Sequence, residues 1–312
     1  MSETKIIAVT GATGAQGGGL ARAILANPSS GYVLRAITRN PESEKAKALA
    51  EAGAEVVAAD IDDVESLKAA FAGAYGAFCL TNYWEHMDAD REIQQAKNLA
   101  DAASASGVEH IVWSTLEDTR EWVPLESDQM PTLGGRFKCP HFDTKGGSDK
   151  FFDPAKTTFL LTSFYWDNFI HFGMGPQPGP DGVLGIAFPM DEKPLPGIAA
   201  EDIGKCAFGI FLKSEEFKGK KVGISGEHVT GQQMAEGFSK ILGKEVRYNA
   251  VPPEVYRSFG FPGAEDLGNM FQFKRDFNDY YSGARSVEFS KSLNADLLSY
   301  SEWLEKYQSA FA

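Results

Sequence analysis

Gly11-Ala12-Thr13-Gly14-Ala15-Gln16-Gly17 is the stretch that decides the fold, because it follows an apolar run at residues 6–10 and precedes a segment with helical spacing at 18–25. Glycines at such a junction allow backbone N–H groups to approach a pyrophosphate, and the N-terminus of the following helix favours its negative charge. The alternative is a plain strand–turn–helix connection whose glycines only relieve steric strain. Since this loop is the first βα junction and more strands follow it, the pattern favours dinucleotide binding.

Strand-like and helix-like segments alternate through the first half of the chain. Predicted strands occupy residues 6–10, 32–38, 55–60, 75–81, 110–114 and 157–162, and predicted helices occupy 18–25, 43–52, 64–71 and 88–106. Apolar runs of strand length separated by helices indicate buried parallel strands. Right-handed crossovers then give an α/β fold, a Rossmann-type doubly wound parallel sheet.

The second half of the chain changes character. Residues 173–197 are rich in glycine and proline and are predicted to form a loop, whereas 228–312 contain shorter helices and many aromatics. Residues 221–225 are predicted to add a late strand to the main sheet. We therefore predict a dinucleotide-binding Rossmann domain at 1–165, completed by about 198–227. A smaller C-terminal α/β lobe is predicted at 166–197 and 228–312, with the functional site in the cleft between the two.

The charge of the chain disfavours several kinds of partner. The formal net charge is −13, which repels nucleic-acid phosphates and anionic lipid, so we expect neither direct nucleic-acid binding nor membrane binding. There is no signal-peptide pattern and no apolar run of about 18 residues, so we expect an intracellular protein of the cytoplasm or the nucleus. Three scattered cysteines, and histidines without ligand spacing, predict neither disulfides nor a metal site.

The end of the second predicted strand indicates which dinucleotide binds. An acidic residue there accepts hydrogen bonds from the ribose hydroxyls of NAD, whereas a guanidinium suits the 2′-phosphate of NADP. This strand ends Thr38-Arg39-Asn40-Pro41, and the first carboxylate is that of Glu42. At a random position Arg39 would be an ordinary surface arginine, but at this position it favours NADP(H).

Together these residues resemble the NmrA-like family of atypical short-chain dehydrogenases/reductases. Beside the glycine loop and Arg39-Asn40-Pro41, the resemblance rests on Thr81-Asn82-Tyr83-Trp84-Glu85, His141-Phe142-Asp143-x-Lys145-Gly146, Gly260-Phe261-Pro262-Gly263-Ala264 and Asp266-Leu267-x-Asn269-Met270-Phe271. It implies that NADP(H) is bound by Gly11, Thr13, Gly14, Ala15, Gln16, Gly17, Arg39, Asp60, Ile61, Thr81, Asn82, Tyr83, Lys145, Tyr165, Trp166, Asp167 and Asn168. One departure concerns the 2′-phosphate, because the basic residue expected shortly after Arg-Asn-Pro is replaced here by Glu42-Ser43-Glu44.

Short-chain dehydrogenases use a Tyr-x-x-x-Lys pair and a serine for carbonyl reduction. The lysine binds the ribose and lowers the pKa of the tyrosine, so that a proton can follow the hydride. The candidate catalytic residues here are Lys145, Ser114 and, in the place of the tyrosine, His141. A charged imidazole can donate a proton, but a structural histidine in a loop is the favoured interpretation of His141. Lys145 has a role in cofactor binding even without catalysis.

Two functions of different classes are compatible with these residues. The favoured one, because the tyrosine is missing, is a redox sensor and regulator that binds NADPH and acts through a protein partner or self-association, as the resemblance implies. A ligand changes such a state only if it binds one state better than the other. The alternative is an NADPH-dependent reductase of a small carbonyl or enone, in which Lys145, with His141 or Tyr83, supports proton transfer.

Three other patterns have structural interpretations. The acidic run Asp60-Ile61-Asp62-Asp63 is expected to cap the helix that follows it. The aromatic run Phe164-Tyr165-Trp166-x-x-Phe169 is typical of a core, with one or two rings left to line the substrate side of the cleft. Met270-Phe271-x-Phe273 is expected to be a buried face, with a partner surface as the alternative.

Overall fold

The strands and helices of the protein alternate through its first half and become shorter and less regular in its second half. The structure, a computed structural model, describes residues 4–311. The strands are β1 (Lys5–Val9), β2 (Tyr32–Thr38), β3 (Glu55–Ala58), β4 (Gly76–Cys79), β5 (His110–Thr115), β6 (Thr157–Leu161), β7 (Phe164–Tyr165), β8 (Gln177–Pro178), β9 (Leu184–Phe188), β10 (Leu195–Ile198), β11 (Lys221–Ile224), β12 (Glu227–Val229), β13 (Val246–Ala250) and β14 (Arg285–Ser286). The helices are α1 (Ala15–Leu25), α2 (Glu44–Glu51), α3 (Val64–Phe71), α4 (Ala89–Ala105), α5 (Pro140–Ser148), α6 (Asn168–His171), α7 (Ala200–Leu212), α8 (Ser214–Phe217), α9 (Gly231–Leu242), α10 (Pro253–Arg257), α11 (Ala264–Asp276), α12 (Asn278–Gly283), α13 (Val287–Leu293) and α14 (Tyr300–Lys306).

The main sheet has eight strands in the order β14-β11-β6-β5-β4-β1-β2-β3. Every neighbouring pair in it is parallel, so the predicted doubly wound α/β fold is confirmed. The strand order reverses between β1 and β4. In such sheets ligands bind in the crevice outside the carboxyl ends of the strands at this point. The glycine loop and the residues that follow β2 and β4 are therefore on the binding side.

The predicted elements of the first half are close to the observed ones. Helix α3 has the predicted bounds, while Ser43 and Asp88 precede α2 and α4 as N-caps whose side chains accept backbone N–H bonds. Helix α1 begins three residues before the prediction, because Gly14 is already its N-cap. The predicted late strand at 221–225 is confirmed as β11, which pairs with β6 in the main sheet.

Helix α1 is held in place by an unusually close contact with α7. A Cβ on Gly19 would lie 2.3 Å from the carbonyl oxygen of Glu201, and a Cβ on Gly204 would lie 2.0 Å from the backbone nitrogen of Leu20. Both distances are far shorter than any real contact, so the two backbones can meet only because each helix has a glycine at the crossing. This contact fixes the direction in which the N-terminus of α1 points.

The prediction of a loop over 173–197 is wrong in part, because the segment contains three strands. Two three-stranded sheets, β12-β10-β7 and β13-β9-β8, use strands from it. Glycine and proline mark the turns here, and the short apolar run of β9 between them is easily overlooked. Proline is tolerated in strands at a sheet edge, and Pro178 lies in the edge strand β8.

The hydrophobic interior forms three clusters. Two of them cover the faces of the main sheet, one under α1 and α7 and the other under α3 and α4. The third, which we call the aromatic core, is formed mostly by the second half of the chain and includes Phe142, Phe164, Trp166, Phe169, Phe188, Phe238, Phe271, Phe273, Tyr281, Tyr300 and Trp303. Phe271 and Phe273 are fully buried and Met270 nearly so, which confirms the predicted buried face.

One strand of the main sheet lies outside the predicted bounds of the Rossmann domain. Arg285 and Ser286, which fall in the predicted C-terminal lobe, form the edge strand β14 of the main sheet. Helix α13 follows directly and packs beside α7. Within residues 4–311, no helix is both long and apolar enough to cross a membrane.

Candidate functional site

The glycine loop has the close-packed geometry that a dinucleotide-binding turn requires. Gly11 has a φ of +64°, a value that favours glycine, and its carbonyl oxygen accepts the N–H of Gly14 at 2.8 Å. A Cβ on Gly17 would lie 2.4 Å from the carbonyl oxygen of Gly11. Within residues 4–311, no side chain caps the N-terminus of α1. The first N–H groups of the helix therefore face the binding side without a side-chain acceptor, as pyrophosphate binding requires.

Arg39, at the end of β2, forms an ion pair with a residue of the Thr81–Glu85 stretch. Its Nη1 lies 2.5 Å from Oε1 of Glu85, and both side chains are largely exposed. A cofactor phosphate at this position would either replace the carboxylate of Glu85 or bind the donors of Arg39 that Glu85 does not use. The side chain of Glu42 is 84% exposed and lies 3.4 Å from Lys47, so it does not compete for Arg39.

The acidic run after β3 caps α3, as predicted. Oδ1 of Asp63 accepts the N–H groups of Glu65 and Ser66 at 3.0 and 3.3 Å. Asp62 instead forms an ion pair with Arg91, and the carbonyl oxygen of Ile61 accepts a bond from Asn98. Asp60 and Ile61 thus lie at the carboxyl end of the sheet, where the adenine contact is predicted.

Lys145 is buried in a polar network at the end of β4. Its Nζ donates to the carbonyl oxygen and to Oγ1 of Thr81, both at 2.8 Å, and lies 3.3 Å from the buried carboxylate of Glu92. Glu92 also accepts bonds from the hydroxyls of Thr81 and Thr144. Burial lowers the pKa of Lys145, and the nearby Glu92 opposes that shift. This arrangement fixes Thr81 and directs the following Asn82 and Tyr83.

Ser114 belongs to a second network, which is centred on Gln16. Its Oγ donates to Oε1 of Gln16 at 2.8 Å, and Nε2 of Gln16 donates to the hydroxyl of Tyr165. Burial raises the pKa of Tyr165 to about 12. The side chain of Gln16 thus joins the ends of β5 and β7, and its contact with a cofactor would come from the backbone.

His141 lies in the first turn of α5, which corrects the prediction of a loop. Proline is favoured at the first position of a helix, and Pro140 takes it, while Asp143 accepts the N–H groups of Lys138 and Cys139. The helix was missed because two glycines interrupt its pattern. The prediction of a structural hydrogen bond fits the contacts of His141, whose Nδ1 lies 2.7 Å from Oδ1 of Asp266.

Cys139, His141 and Asp266 form a buried cluster that the sequence analysis did not anticipate. The Cys139 thiol donates to Oδ1 of Asp266 at 3.1 Å, and the backbone N–H of His141 donates to Oδ2 at 3.1 Å. Their side-chain ligand atoms lie within 4.8 Å of one another, a spacing compatible with a metal ion. The same contacts are complete as hydrogen bonds to one carboxylate. Burial raises the pKa of the Cys139 thiol, which disfavours a reactive thiolate.

The three candidate catalytic residues have different partners. Lys145 contacts Thr81 and Glu92, His141 contacts Asp266, and Ser114 contacts Gln16. Within residues 4–311 no hydrogen bond joins any two of the three. They therefore do not form the compact proton relay of the usual short-chain dehydrogenase site.

The residues after β7 divide between the cleft and the core. The indole of Trp166 has no exposed surface and packs against Tyr300 and Trp303, so only its backbone can contact a cofactor. Asp167 accepts the N–H of Ala200 at 2.8 Å and so satisfies the start of α7. Asn168 is the first residue of the short helix α6.

A pocket of about 580 Å³, which we call the Tyr83 pocket, opens between the segment after β4, residues 133–140 and the segment from α10 to α11. Its apolar wall includes Tyr83, Met87, Leu133, Phe137, Pro140 and Phe261, and its polar groups include Arg257, Ser258, Glu265 and Asp266. Tyr83 is 8% exposed, and burial raises the pKa of its phenol. The phenol is therefore neutral and can donate a hydrogen bond at neutral pH.

The sequence analysis missed Glu92, Asp266 and Arg257. Glu92 and Arg257 have no signal in a local pattern, because their partners lie on other elements. Asp266 was within one of the stretches that carry the family resemblance. Its partner His141 was also within such a stretch, but 125 residues separate the two in the chain. The contact between His141 and Asp266 could have been suggested only by the fact that both residues lie in stretches that carry the family resemblance.

Comparison with known proteins gives consistent similarities over nearly the whole chain. The sequence profile of the NmrA-like family matches residues 3–307. An NmrA-like family domain-containing oxidoreductase of Cladobotryum sp, FrzB, is 34% identical over 298 residues, which cover 89% of this chain and 86% of that protein.

Solved structures share the fold. Two structures of NmrA, a negative transcriptional regulator, one in complex with NADP and one with NAD, each have a TM-score of 0.74 at 23% identity over 98% of this chain and 95% of theirs. A Citrobacter sp. triphenylmethane reductase complexed with NADP(H) has a TM-score of 0.71 at 25% identity, over 96% of this chain and 99% of that one.

Proposed function

This chain belongs to the NmrA-like family, and from that membership we propose that it is an NADP(H)-dependent reductase of a small carbonyl or enone. The observation that carries the proposal is the Tyr83 pocket. Its volume is within the range of small-molecule sites, and a mostly apolar wall with a few polar groups is typical of them. Tyr83 belongs both to this wall and to the stretch that follows β4 at the binding crevice.

The glycine loop and Arg39 support NADP(H) as the cofactor. The loop leaves no room for a Cβ at Gly17, and the uncapped start of α1 suits a pyrophosphate. Arg39 stands where a guanidinium would contact a 2′-phosphate, and its partner Glu85 is exposed and replaceable. The nicotinamide of the bound cofactor would supply the hydride.

The residues around the pocket have different roles in the proposed reaction. The neutral phenol of Tyr83 can donate a hydrogen bond to the oxygen of a carbonyl that accepts the hydride at carbon. It can then give its proton to the alkoxide that forms, which is more basic than a phenolate even with the raised pKa of Tyr83. The ammonium of Lys145 keeps Thr81 fixed, and it would supply positive charge to the ribose of a bound cofactor. Asp266 is already occupied by His141 and Cys139, so His141 has the role of fixing α11 against α5.

A single-turnover experiment tests this proposal. Protein in excess of NADPH is mixed with aldehydes, ketones, quinones and enones, and the absorbance of the reduced nicotinamide is followed. We expect one class to abolish the band, and we expect Tyr83→Phe to slow its loss by about 100-fold, the usual contribution of a positioned proton donor.

Two variants serve as controls for that experiment. Lys145→Ala should also slow the reaction, and it counts only if it still binds NADPH. Lys150→Ala changes an exposed lysine five residues further on and should react at the wild-type rate. If no substrate class consumes NADPH that is shown to be bound, the reductase proposal is wrong.

A second candidate, the cofactor sensor, is favoured by the contacts of Glu85. Glu85 pairs with Arg39, and its neighbour Trp84 packs on His141 with ring centroids 4.7 Å apart. A Cβ on Gly263, at the start of α11, would lie 2.6 Å from the Trp84 ring. A 2′-phosphate that takes Arg39 from Glu85 would therefore release a turn that contacts the second half of the protein.

Sedimentation velocity, with and without saturating NADPH, tests the sensor. We expect the cofactor to change the association state of the wild-type protein, and Glu85→Gln to favour the same state without cofactor. A sedimentation profile that NADPH leaves unchanged contradicts self-association as the output. The comparison of wild type with Glu85→Gln changes only this carboxylate, so no lysine or arginine elsewhere in the chain is altered.

A further inference from the structure

Among residues 4–311, Arg257 is the one cation in the wall of the Tyr83 pocket, and α11 holds it in a fixed position. Its Nη1 donates to Oε1 of Gln272 at 2.7 Å and to Oδ1 of Asn269 at 3.1 Å. A Cβ on Gly268 would lie 2.4 Å from Cγ of Arg257. The missing side chain at Gly268 therefore provides the groove in which the stem of Arg257 lies, and two amides fix one edge of its guanidinium.

Asn269 also connects Arg257 to the opposite wall of the pocket. Its buried amide group donates to the carbonyl oxygen of Pro131 at 3.0 Å and to that of Lys138. Leu133 and Phe137, which lie between those two residues, line the apolar wall. The cation and the apolar wall are thus positioned by the same side chain.

The guanidinium of Arg257 has hydrogen-bonding capacity left over. An arginine has five N–H donors, and within residues 4–311 only those on Nη1 have acceptors. No carboxylate of that part of the chain lies within 4.0 Å of Arg257. Glu265 lines the same pocket without pairing with it, and Asp266 is engaged by His141 and Cys139. Burial lowers the pKa of Arg257, and the charges of Glu254 and Glu265, which form no ion pair with it, oppose that shift.

We propose that the Tyr83 pocket binds small aromatic carboxylates, with the ring against the apolar wall and the carboxylate on Nε and Nη2 of Arg257. A planar fork of donors binds a carboxylate in two parallel hydrogen bonds, and such bonds are stronger than neutral ones. Aromatic side chains of Tyr83, Phe137 and Phe261 offer surfaces for a planar ligand. The assignment rests on the proposed function, because it names the substrate class as an aromatic keto or enoic acid.

Isothermal titration calorimetry with a matched pair of ligands tests the assignment. Cinnamate and cinnamamide have nearly the same shape and differ in charge. With the full chain saturated with NADP⁺, we expect cinnamate to bind about 10- to 100-fold more tightly than the amide, the usual effect of a charged hydrogen bond. The affinity for cinnamate should fall with added salt, whereas that for the amide should not.

Variants locate the effect on Arg257. Arg257→Met should reduce the affinity for cinnamate to that for the amide, and Gly268→Ala should weaken cinnamate binding by displacing the guanidinium. Arg247→Met removes an exposed arginine that is already paired with Asp181 and Glu245 and should leave both affinities unchanged. The salt dependence of the wild-type protein keeps the test decisive even if Arg257→Met does not fold.

The outcomes separate this assignment from the reductase proposal. Equal binding of acid and amide, no binding of the acid, or an acid preference that persists in Arg257→Met overturns the assignment. If uncharged enones are reduced and acids do not bind, the reductase stands without it. If cinnamate binds through Arg257 and no acid, aldehyde, ketone, quinone or enone consumes bound NADPH, the pocket binds aromatic carboxylates and the reductase proposal fails.

Discussion

Glu92 near the strand ends and Lys274 in the aromatic core are both buried charged groups, and their surroundings are opposite. Glu92 accepts bonds from Thr81 and Thr144 and lies 3.3 Å from Lys145. Within the described part of the chain, Lys274 has only the sulfur of Met270 as a hydrogen-bond partner, at 3.2 Å, and four aromatic rings lie 5.2–5.8 Å from its nitrogen. The nitrogens of Trp166 and Trp303 and the hydroxyl of Tyr281 also lack partners within residues 4–311.

The strand ends hold polar side chains in fixed positions, whereas the aromatic core mainly fills space with large rings. At the end of β4 the side chains of Thr81, Glu92 and Lys145 pair with one another, so the positions of Thr81 and Lys145 are over-determined. The aromatic core is filled by large rings, and it accommodates a cation by lowering its pKa and by weak attraction to ring faces. The Tyr83 pocket lies where the two regions meet.

The largest effect is expected from removing the partner of a buried charged side chain, because that charge is then left without a counter-charge, as Lys274 is. Arg285 and Glu117 are fully buried and joined by two bonds of 2.7 and 3.0 Å. Glu117→Gln removes the charge that compensates an arginine, which cannot lose its proton. We expect a loss of about 3–5 kcal/mol in the free energy of unfolding, measured by urea denaturation.

The control for that experiment replaces both partners. Glu117→Leu combined with Arg285→Met leaves no buried charge at this site, and apolar replacement of a buried ion pair is often neutral or stabilising. We expect the double variant to be within about 1 kcal/mol of the wild type or more stable. A single variant as stable as the wild type would mean that the aromatic core tolerates arginine as well as it tolerates Lys274.

The next effect concerns Lys274 itself and depends on pH. Burial lowers its pKa from an ordinary value near 10.5 to about 7. Between these values the unfolded chain binds more protons than the folded protein, so this group makes the protein more stable as the pH rises. The gain should be about 3 kcal/mol from about pH 6 to about pH 9.

Lys274→Met tests this interpretation by removing the charge and keeping the shape. The variant should exceed the wild type in stability below pH 7, and its advantage should shrink as the pH rises toward 9. Urea denaturation at several pH values measures the difference. Lys240→Met, at a lysine whose side chain is 77% exposed, should show no such trend. An advantage that stays constant with pH would mean that Lys274 remains charged throughout.

The elements that frame the strand ends are predicted well from the sequence, although the charge pairs between them are not. Strands β1 to β6 and helices α1 to α4 follow from apolar runs and from caps such as Ser43 and Asp88, which act on residues within three or four positions. The glycine loop is similarly local. Each of these signals can be read from a short window, because the interactions that produce it are short in sequence.

The pocket side could not be predicted in the same way, because its contacts join distant segments. Helix α5 contains Gly146, where a Cβ would lie 2.3 Å from the backbone nitrogen of Asp118. Gly146 thus allows α5 to pack closely against its neighbour, and the same glycine interrupts the helical sequence pattern, so that the helix was not predicted. Likewise, Arg257 is positioned by residues of α11, and the pairing of His141 with Asp266 spans 125 residues.

A smaller effect is expected at Arg39, on the rim of the paired region. Arg39→Ala should weaken NADPH binding by about 10- to 100-fold, the value of a charge-assisted hydrogen bond to the 2′-phosphate. Binding of NADH, which lacks that phosphate, should change little. Fluorescence titration of the two cofactors measures both, and equal losses would assign Arg39 to the shared part of the dinucleotide. Arg247→Ala, remote from the crevice, is the control.

The smallest effect is expected at the N-cap of α3, where a substitution shows whether this local interaction is independent of cofactor binding at the strand ends. The Asp63 carboxylate accepts two N–H groups at the start of α3, so Asp63→Ala should cost about 1 kcal/mol, measured by urea denaturation. Asp63→Asn retains an acceptor for the same bonds and should cost less. NADPH affinity should be the same in both variants, because the cap acts within the first turn of α3. A loss of cofactor binding in Asp63→Ala would instead show that the cap positions Asp60 and Ile61, and that the strand-end region is as interdependent as the wall of the Tyr83 pocket.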